Sequence, residues 1–475
     1  MKTPKKFCCM LAGALLFSCL ASVPAGAACY TLDADGNRIP ITKTYQHVGN
    51  ISSMGEKYED LLNPSDLFID DWDNLYIVDT GHNRIFKTDL EGNILFCYDE
   101  EAGYEFNKPQ GIYVDDTGDM YVSDTDNNRI VHLSPEGELV EEFIKPSSEL
   151  LDANSTFSPT KLGIGPTGYI YVTMFENLIT MDAFNQFRGF LGQTKVPFSF
   201  VNLLIRLFAS EEQKQKVTRP TAAPITNIFI DDEGMIYCTS KDNLYGEIKK
   251  FNHVGTNIYP VQTYGEYTYD GTAPSFVDLT VDKAGIVTAI DDNTAKIYQY
   301  DQAGNLLTVF GGKGESNGYF QKPSSIEVDS KGNLYVLDFA ACMIQIFSPT
   351  DFLVMVQQAT AYNQNAEYDK ALSVWQEIQT INRNYPLANE GIAKALYKQG
   401  DYKASMDYYE KAGNKEGYSE AYQEYRTQMF RKNFGWGVLA IVAAITLLVL
   451  YIRLLRRISR KILAKYFSYR RDTDA

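Results

Sequence analysis

The sequence predicts a mainly β protein, in which a six-bladed β-propeller at 28–351 precedes a helical segment and one transmembrane helix. Three observations lead to this fold class. Six related segments follow one another, each with short runs of alternating apolar residues separated by Gly, Asp or Asn. From residue 352 the apolar spacing becomes helical, and near the C-terminus a stretch of 17 residues carries no charge.

Composition excludes several classes of protein. The chain has 475 residues, of which 44 are basic and 60 are acidic, and its net charge is −16. We therefore expect no nucleic-acid partner, because nucleic-acid binding requires a basic face. With 45% hydrophobic and 22% charged residues, the chain is neither disordered nor a polytopic membrane protein. Its seven cysteines do not indicate a disulfide scaffold, and its four histidines leave little material for a histidine-rich metal site.

The first 27 residues have the features of a signal peptide. A lysine-rich start is followed by a short apolar stretch and by an A-x-A cleavage site at 25–27. A lipoprotein is the alternative, because Cys19 and Cys29 follow small residues, but neither is preceded by the leucine pattern of a lipobox. The cysteines that we interpret as small hydrophobic residues of strands, and not as disulfide partners, are Cys97, Cys238 and Cys342.

The repeats are clearest in the first two copies. Pro64 and Pro109 are 45 residues apart, and the same distance separates Asp79 from Asp124. Each copy has the alternation of four short antiparallel strands, and six such copies predict a propeller and not a sandwich. The copies begin at Pro64, Pro109, Pro159, Ile225, Pro274 and Pro323.

The motif Asp-Thr-x-x-Asn-Arg-Ile in these two copies resembles the NHL repeat. Copies five and six keep its aspartate, as Asp291 and Asp338, but Lys296 and Met343 replace its arginine. Copies three and four lack both residues. The resemblance extends over 64–348 and implies the propeller fold, but no single activity, because propellers have many functions.

Ring closure is predicted to come from the N-terminal segment. The sixth copy has no fourth strand after Phe347, where the helical spacing begins. Residues 41–48 end next to a glycine, as do the predicted outer strands that end at 264–265 and 310–311. We therefore expect 41–48 to be the outer strand of blade six, where it pairs an edge that would otherwise be open.

One connection departs from the repeat. After blade three the chain contains an apolar stretch followed by a polar one, which predicts a helix at about 196–222 with Phe200 and Leu204 in its apolar part. In the propellers that this chain resembles, the same connection lies on the face where ligands enter. The helix is therefore either a lid or docking element, or a cover that packs flat on the ring.

The segment 352–434 resembles tetratricopeptide repeats. Two stretches align at an offset of 34 residues, which predicts copies at about 352–385 and 386–419, with Ser405 in place of the usual alanine. Two copies are fewer than such arrays usually need. We expect the helix from Ser419 to Phe434 to form a third layer and to continue into the membrane span.

The uncharged stretch from Trp436 to Ile452 predicts a transmembrane helix at 435–453. Eight basic residues occur in the 20 residues after it and three in the 20 before it. The positive-inside rule then places the basic tail, 454–475, in the cytoplasm. With the signal peptide at 1–27, this predicts a single-pass type I protein of the cell membrane whose propeller and helical repeats lie outside the cytoplasm.

Candidate site residues come from the repeats and from the inserted helix. The aspartate pairs at 70–71, 115–116 and 231–232 lie in the first hairpin turn of a copy, where aspartate favours turn hydrogen bonds. We interpret the motif aspartates as contacts between blades, and the histidines fall at non-equivalent positions, so no catalytic or metal residues are predicted. The candidates for a binding face are Asp79, His82, Asp124, Asn127, Asp291, Asp338, Phe200 and Leu204.

Two functions of different classes remain. We favour a non-enzymatic, membrane-anchored module without a cofactor, which binds a protein, a small molecule or a glycan outside the cytoplasm. The order of NHL-like, tetratricopeptide-like and transmembrane segments resembles bacterial surface proteins associated with carbohydrate uptake. The alternative is a surface-tethered propeller lyase or lactonase with a bound divalent metal, Ca or Zn.

Overall fold

The computed structural model describes residues 29–148, 150–151, 156–174, 177–191, 225–240 and 247–473, with side chains of the last helix up to 464. Two predictions from the sequence lie outside these residues. They are the signal peptide at 1–27 and the inserted helix at 196–222, which includes the candidates Phe200 and Leu204.

The predicted six-bladed propeller is confirmed. Three strands precede the repeats, and the others form six sheets that follow one another along the chain. The first strands are β1 (Tyr30–Leu32), β2 (Arg38–Pro40) and β3 (Tyr45–Ile51). Blade one has β4 (Asp66–Ile69), β5 (Leu75–Asp79), β6 (Arg84–Thr88) and β7 (Ile94–Tyr98); blade two has β8 (Pro109–Val114), β9 (Met120–Asp124), β10 (Arg129–Leu133) and β11 (Leu139–Phe143). Blade three has β12 (Leu162–Ile164), β13 (Ile170–Met174), β14 (Asn177–Met181) and β15 (Phe187–Leu191); blade four has β16 (Ile225–Ile230), β17 (Ile236–Ser240) and β18 (Ile248–Phe251). Blade five has β19 (Phe276–Val281), β20 (Val287–Asp291), β21 (Lys296–Tyr300) and β22 (Leu306–Gly311); blade six has β23 (Pro323–Val328), β24 (Leu334–Asp338) and β25 (Met343–Pro349).

The N-terminal segment closes the ring. β3 pairs antiparallel with β25 and becomes the outer strand of blade six, as the sequence predicts. The strand occupies Tyr45–Ile51 and not 41–48, because residues 41–44 bridge to blade five instead, where Thr44 Oγ1 lies 2.9 Å from Thr308 Oγ1. The hairpin of β1 and β2 extends the edge of β22 in blade five, an addition that the sequence analysis did not foresee.

Blade four has three described strands, and the expected fourth strand ending at 264–265 is wrong. The chain after β18 is irregular, with only one isolated bridge between Phe251 and Asn257. The side-chain carbonyl of Asn257 accepts the N–H of Lys250 at 3.1 Å, and thus takes the place of a strand carbonyl. This edge of blade four is therefore covered by side-chain and turn hydrogen bonds and not by a ladder.

The hydrophobic core lies in layers between neighbouring blades. One layer joins Ile290 and Ile297 of blade five to Ile326 and Val336 of blade six, and equivalent layers follow around the ring. Each strand therefore contributes its apolar positions to the blade on one side or the other, which explains the alternation in the sequence. The buried cysteines in these layers are Cys29, Cys97 and Cys238.

Among the described residues, five helices follow the ring: α1 (Asp351–Gln364), α2 (Tyr368–Ile381), α3 (Pro386–Gln399), α4 (Tyr402–Ala412) and α5 (Lys415–Thr473). The first four form two antiparallel hairpins, consistent with the two predicted copies. Small residues at the crossings let the helices approach, since Ser405 is buried and its Oγ donates to the Ala393 carbonyl at 2.8 Å. Tyr385 Oη donates to the Leu307 carbonyl at 2.9 Å, and this contact fixes the helices to blade five.

Candidate functional site

The aspartates of the first hairpin turns have a structural role. Asp70 Oδ1 accepts the backbone N–H groups of Trp72 and Asn74 at 3.0 and 2.8 Å. Asp115 accepts those of Thr117 and Asp119 in the same way, both at 2.9 Å. The repeated aspartates therefore close the turn by side-chain hydrogen bonds, as their position in the sequence indicates.

The four motif aspartates fix the place where the chain enters each blade. In each case one carboxylate oxygen accepts a backbone N–H of the segment that leads into the blade's first strand, and the carboxylate is buried. These bonds run to Asp79 from Leu62, to Asp124 from Asn107, to Asp291 from Ser275 and to Asp338 from Gln321, at 2.7–2.8 Å. None of these four candidates presents its carboxylate to solvent, so none can contact a ligand directly.

The basic residue after each motif aspartate differs between blades. Arg84 Nε donates to Asp79 at 2.8 Å and closes the site in blade one. In blade five, Lys296 turns instead to Glu266 at 3.1 Å, a carboxylate that also accepts a hydrogen bond from Arg38 at 2.8 Å. Replacement of arginine by lysine in this copy thus serves the N-terminal hairpin, to which Arg38 belongs.

The candidates His82 and Asn127 meet at one cavity. It has a volume of about 660 Å³ and lies between blades one and two, on the side of the ring where the chain passes from blade to blade (the connection face). His82 is held by Asp79 at 2.9 Å and Asn127 by Asp124 at 2.9 Å, so both form walls of fixed position. The cavity is lined by His82, Asn83, Glu100, Tyr104, Glu105, Phe106, Asn107, Asn127, Arg129, Glu142 and Ile144.

The other histidines lie elsewhere in the ring. His47 is on β3 in blade six, His132 is on β10 in blade two, and His253 is in a turn after β18. In the described part of the chain, no group of three or more His, Cys, Asp or Glu side chains has the geometry of a metal site.

A second polar site, absent from the sequence predictions, lies on the ring axis. An equivalent position can be identified in every blade. It is the residue of the innermost strand that pairs with the next-to-last residue of the second strand. Because innermost strands surround the axis of a propeller, these six residues form a belt around it. The axial belt consists of Asp66, Gly111, Lys161, Asn227, Asp278 and Ser325. Two residues further along lies a second belt of Phe68, Tyr113, Gly163, Phe229, Thr280 and Glu327.

The axial belt joins adjacent blades by hydrogen bonds. Asp66 accepts the N–H of Ile112 at 3.0 Å, from blade one to blade two. Asp278 accepts the N–H of Ile326 at 2.8 Å, from blade five to blade six, and Ser325 Oγ accepts the N–H of Leu67 at 3.1 Å, from blade six to blade one. The belt therefore holds the ring together at its centre, including the seam next to the closing strand.

Lys161 crosses the axis. Its ammonium belongs to blade three but contacts the carboxylate of Asp66 in blade one. Blade two contributes Gly111 at this level, where a Cβ would lie 2.2 Å from the Thr160 carbonyl oxygen. Glycine is thus the residue that lets the backbone before Lys161 approach closely enough for the contact.

The electrostatics of the axis favour protonated carboxyls. Burial raises the pKa of Asp278 to about 6, against the opposing effect of Lys161. Burial, together with the charge of Asp278, raises the pKa of Glu327 well above its usual value. Burial would lower the pKa of Lys161, but the neighbouring Asp66 carboxylate reverses this and raises it, so the ammonium stays charged. Glu327 is only half-buried.

The axial belt was missed because its members look ordinary in the sequence. Each lies near the start of its copy, but the six residues are of five different types, and alignment of the copies alone gives no reason to group them. A signal does exist: a charged residue at the start of an innermost strand, as in Asp66, Lys161 and Asp278, is unusual for a position that a propeller must bury.

Comparison with protein families agrees with this description of the ring. Residues 106–133, which span the first three strands of blade two, match the model of the NHL repeat. Blade two is therefore similar to an NHL repeat. Its motif carboxylate, Asp124, and its pocket residue, Asn127, lie inside the matched stretch. No curated protein sequence matches the chain significantly.

Several solved structures resemble part of the chain. A streptogramin B lyase structure has 14% identity and a TM-score of 0.41, over 64% of this chain and 97% of that one. A virginiamycin B lyase from Staphylococcus aureus has 13% identity and a TM-score of 0.40, over 64% and 99%. The WD40 propeller domain of Doa1 has 12% identity and a TM-score of 0.39, over 61% and 79%. At these values the likeness carries no information on ligand or activity.

Proposed function

We propose that the protein is a membrane-anchored scaffold that binds a ligand or a protein partner on its NHL-type propeller. The observation that carries this proposal is the continuity of α5. Its first turns pack in the helical repeats, where Ala421 is buried against Ala393 and Tyr409. The same helix then runs through the apolar stretch, and it is the one helix in the described residues that is long and apolar enough to cross a bilayer.

The helical repeats link this helix to the ring. The helical repeats are held on blade five by Tyr385, and α5 packs on the repeats, so that the propeller is positioned relative to the span without a flexible linker. Trp436 and Tyr451, at the two ends of the apolar stretch, are exposed, as lipid-facing aromatic residues at membrane interfaces would be. This arrangement suits a protein that presents a binding surface beside a membrane.

The orientation of the chain across the membrane is part of the proposal. The basic residues after the span favour a cytoplasmic tail and an extracytoplasmic ring, in the type I arrangement at the cell membrane. Protease added to intact cells should degrade the propeller and leave a short fragment that reacts with an antibody against a C-terminal tag. A cytoplasmic marker protein serves as the control for cell integrity. Full protection of the tagged chain would contradict this orientation.

The cavity between blades one and two is the proposed binding site. Among the described residues, the carboxylates of Glu100 and Glu105 have no hydrogen-bond partner, and they face a cavity with amide groups and an aromatic wall. Such a lining suits a ligand with many hydroxyl or amino groups, because carboxylates and amides orient these groups by hydrogen bonds. A glycan is the ligand that we propose, in line with a role beside carbohydrate uptake.

Oligosaccharide binding to the full chain in detergent tests this site. Glu100→Gln combined with Glu105→Gln should weaken binding about 10-fold or more, since hydrogen bonds to charged groups contribute about 1.5–3 kcal/mol. Glu233→Gln, an exposed residue in a turn of blade four, is the matched control and should leave affinity unchanged. Equal loss in the control, or no binding of any oligosaccharide, would contradict the assignment of this cavity to a glycan.

A further inference from the structure

The ring axis carries more negative than positive charge, and its two aspartates are buried. Four ionisable side chains meet there, from blades one, three, five and six: Asp66, Lys161, Asp278 and Glu327. Blades two and four contribute Gly111 and Asn227 to the axial belt, which are uncharged. The rest of the second belt is aromatic, glycine or threonine. With all four groups ionised, three carboxylates would face one ammonium.

The three carboxylates are compensated to different degrees. Asp66 contacts the ammonium of Lys161 and accepts two further hydrogen bonds. Asp278 accepts two backbone N–H groups but touches no cation in the described part of the chain. Glu327 accepts a single hydrogen bond, from Thr280 Oγ1 at 3.0 Å, and has no cationic contact among the described residues. The two carboxylates of blades five and six thus remain without a counter-charge of their own.

We propose that the ring axis is a proton-binding latch, in which Asp278 and Glu327 together hold a proton in the folded ring at neutral pH. Loss of this proton leaves two neighbouring carboxylates ionised, of which Asp278 is buried and Glu327 half-buried, and weakens the seam between blades five and six. Asp278 and Glu327 are bonded across this seam, to Ile326 and to Thr280 respectively. The same blades carry the closing strand and the N-terminal hairpin, so the latch acts where the ring is joined.

The direction of the pH effect follows from the raised pKa values of these carboxyls. A carboxyl with a higher pKa in the folded than in the unfolded chain binds more protons when folded. Folding stability then falls as pH rises from the unfolded value near 4 through the folded value, which for Asp278 is about 6. The ring is therefore expected to be more stable at pH 5 than at pH 8, as far as these two groups are concerned. Lys161 does not offset this change, because Asp66 keeps it charged throughout the range.

Thermal unfolding of the full chain in detergent, between pH 5 and pH 8, tests the latch. In Glu327→Gln the amide keeps an acceptor for Thr280 and cannot ionise, so the variant should melt about 2–5 °C above wild type at pH 8 and show a flatter pH dependence. Glu315→Gln, an exposed residue in the loop before β23, is the matched control and should follow the wild type. The difference between the two variants removes the contributions of histidines and other carboxyls, which both share.

A second measurement does not depend on variants that fold. Infrared spectra of the wild-type protein at pH 7 should contain the carbonyl stretch of a protonated carboxyl, which disappears reversibly at higher pH. If this band is absent at pH 7, or if Glu327→Gln melts below wild type at pH 8 with an unchanged slope, the axis holds its charge without a proton and the proposal is wrong. Neither outcome depends on the ligand or on the orientation in the membrane.

Discussion

Replacement of Tyr45 by alanine should open the ring. Tyr45 begins the closing strand β3, is 4% exposed, and its ring centroid lies 5.0 Å from that of Phe310 in blade five. Its hydroxyl accepts a hydrogen bond from Gln299 Nε2 at 2.9 Å. Removal of a buried aromatic side chain costs about 3–5 kcal/mol, and the lost hydrogen bond accounts for about 1 kcal/mol of this. We therefore expect Tyr45→Ala to lower the free energy of unfolding by about 4 kcal/mol and Tyr45→Phe to lower it by about 1 kcal/mol.

Urea unfolding of the full chain in detergent, followed by circular dichroism of the β signal, measures these differences. The matched control is Gln46→Ala, the exposed neighbour on the same strand, which should change the free energy by no more than about 0.5 kcal/mol. The reasoning would be refuted if Tyr45→Ala cost less than about 1 kcal/mol, or no more than the control. In that case the pairing of β3 with β25 would contribute little to closure of the ring.

Three further predictions concern single residues. Gly111→Ala should destabilise the ring by about 1–3 kcal/mol, because the added Cβ would lie 2.2 Å from the Thr160 carbonyl oxygen; an unchanged thermal midpoint would contradict the close approach. Gly391→Ala should loosen the helical repeats, because its Cβ would lie 2.3 Å from Trp375 Nε1; the expected readout is altered tryptophan fluorescence with an unchanged β signal, and a native spectrum would count against it. Cys97 should react with maleimide only after unfolding, since burial and a hydrogen bond to Asp99 raise the pKa of its thiol to about 12; rapid labelling of the native protein at pH 8 would show that the thiol is open.

The repeat pattern made the ring predictable. Alternation of apolar residues, the turn aspartates and the spacing from Asp79 to Asp124 all express one physical rule, namely that each strand fills the layers on both sides of its blade. Because each copy repeats this rule, errors in one copy do not change the number of blades. The closing strand was predictable for the same reason, since a missing strand in blade six required a partner from elsewhere in the chain.

Features that depend on the geometry of a distant part of the same chain were not predictable. The hairpin of β1 and β2 consists of two strands of three residues, too short for an alternation signal, and it forms because the edge of β22 is available. The missing strand of blade four depends on a side-chain hydrogen bond of Asn257. The contact of Lys161 with Asp66 crosses the axis between blades that are not neighbours, so only the closed ring brings the two together.

The candidate site residues show the same division. The sequence analysis interpreted the motif aspartates as contacts between blades, but the structure shows that each one binds the segment that enters its own blade. The cavity beside His82 and Asn127 could not be derived, because its walls come from a connection whose path depends on both blades. Sequence periodicity describes what all blades share, whereas a binding site arises from what two particular blades do differently.

The uninterrupted α5 makes the span a mechanical part of the protein. Fifteen residues separate Ala421, the buried residue of the repeats, from Trp436, at the start of the apolar stretch. At about 1.5 Å per residue this gives a stiff strut about 22 Å long. A hinge would absorb any tilt or rotation of the span, but a rigid helix transmits both to the repeats. If the helix rotated by the angle between two successive residues, the attached repeats would turn by about 100° around the helix axis. In the proposed membrane-anchored arrangement, the angle at which this helix crosses the bilayer therefore sets the height and the direction of the propeller.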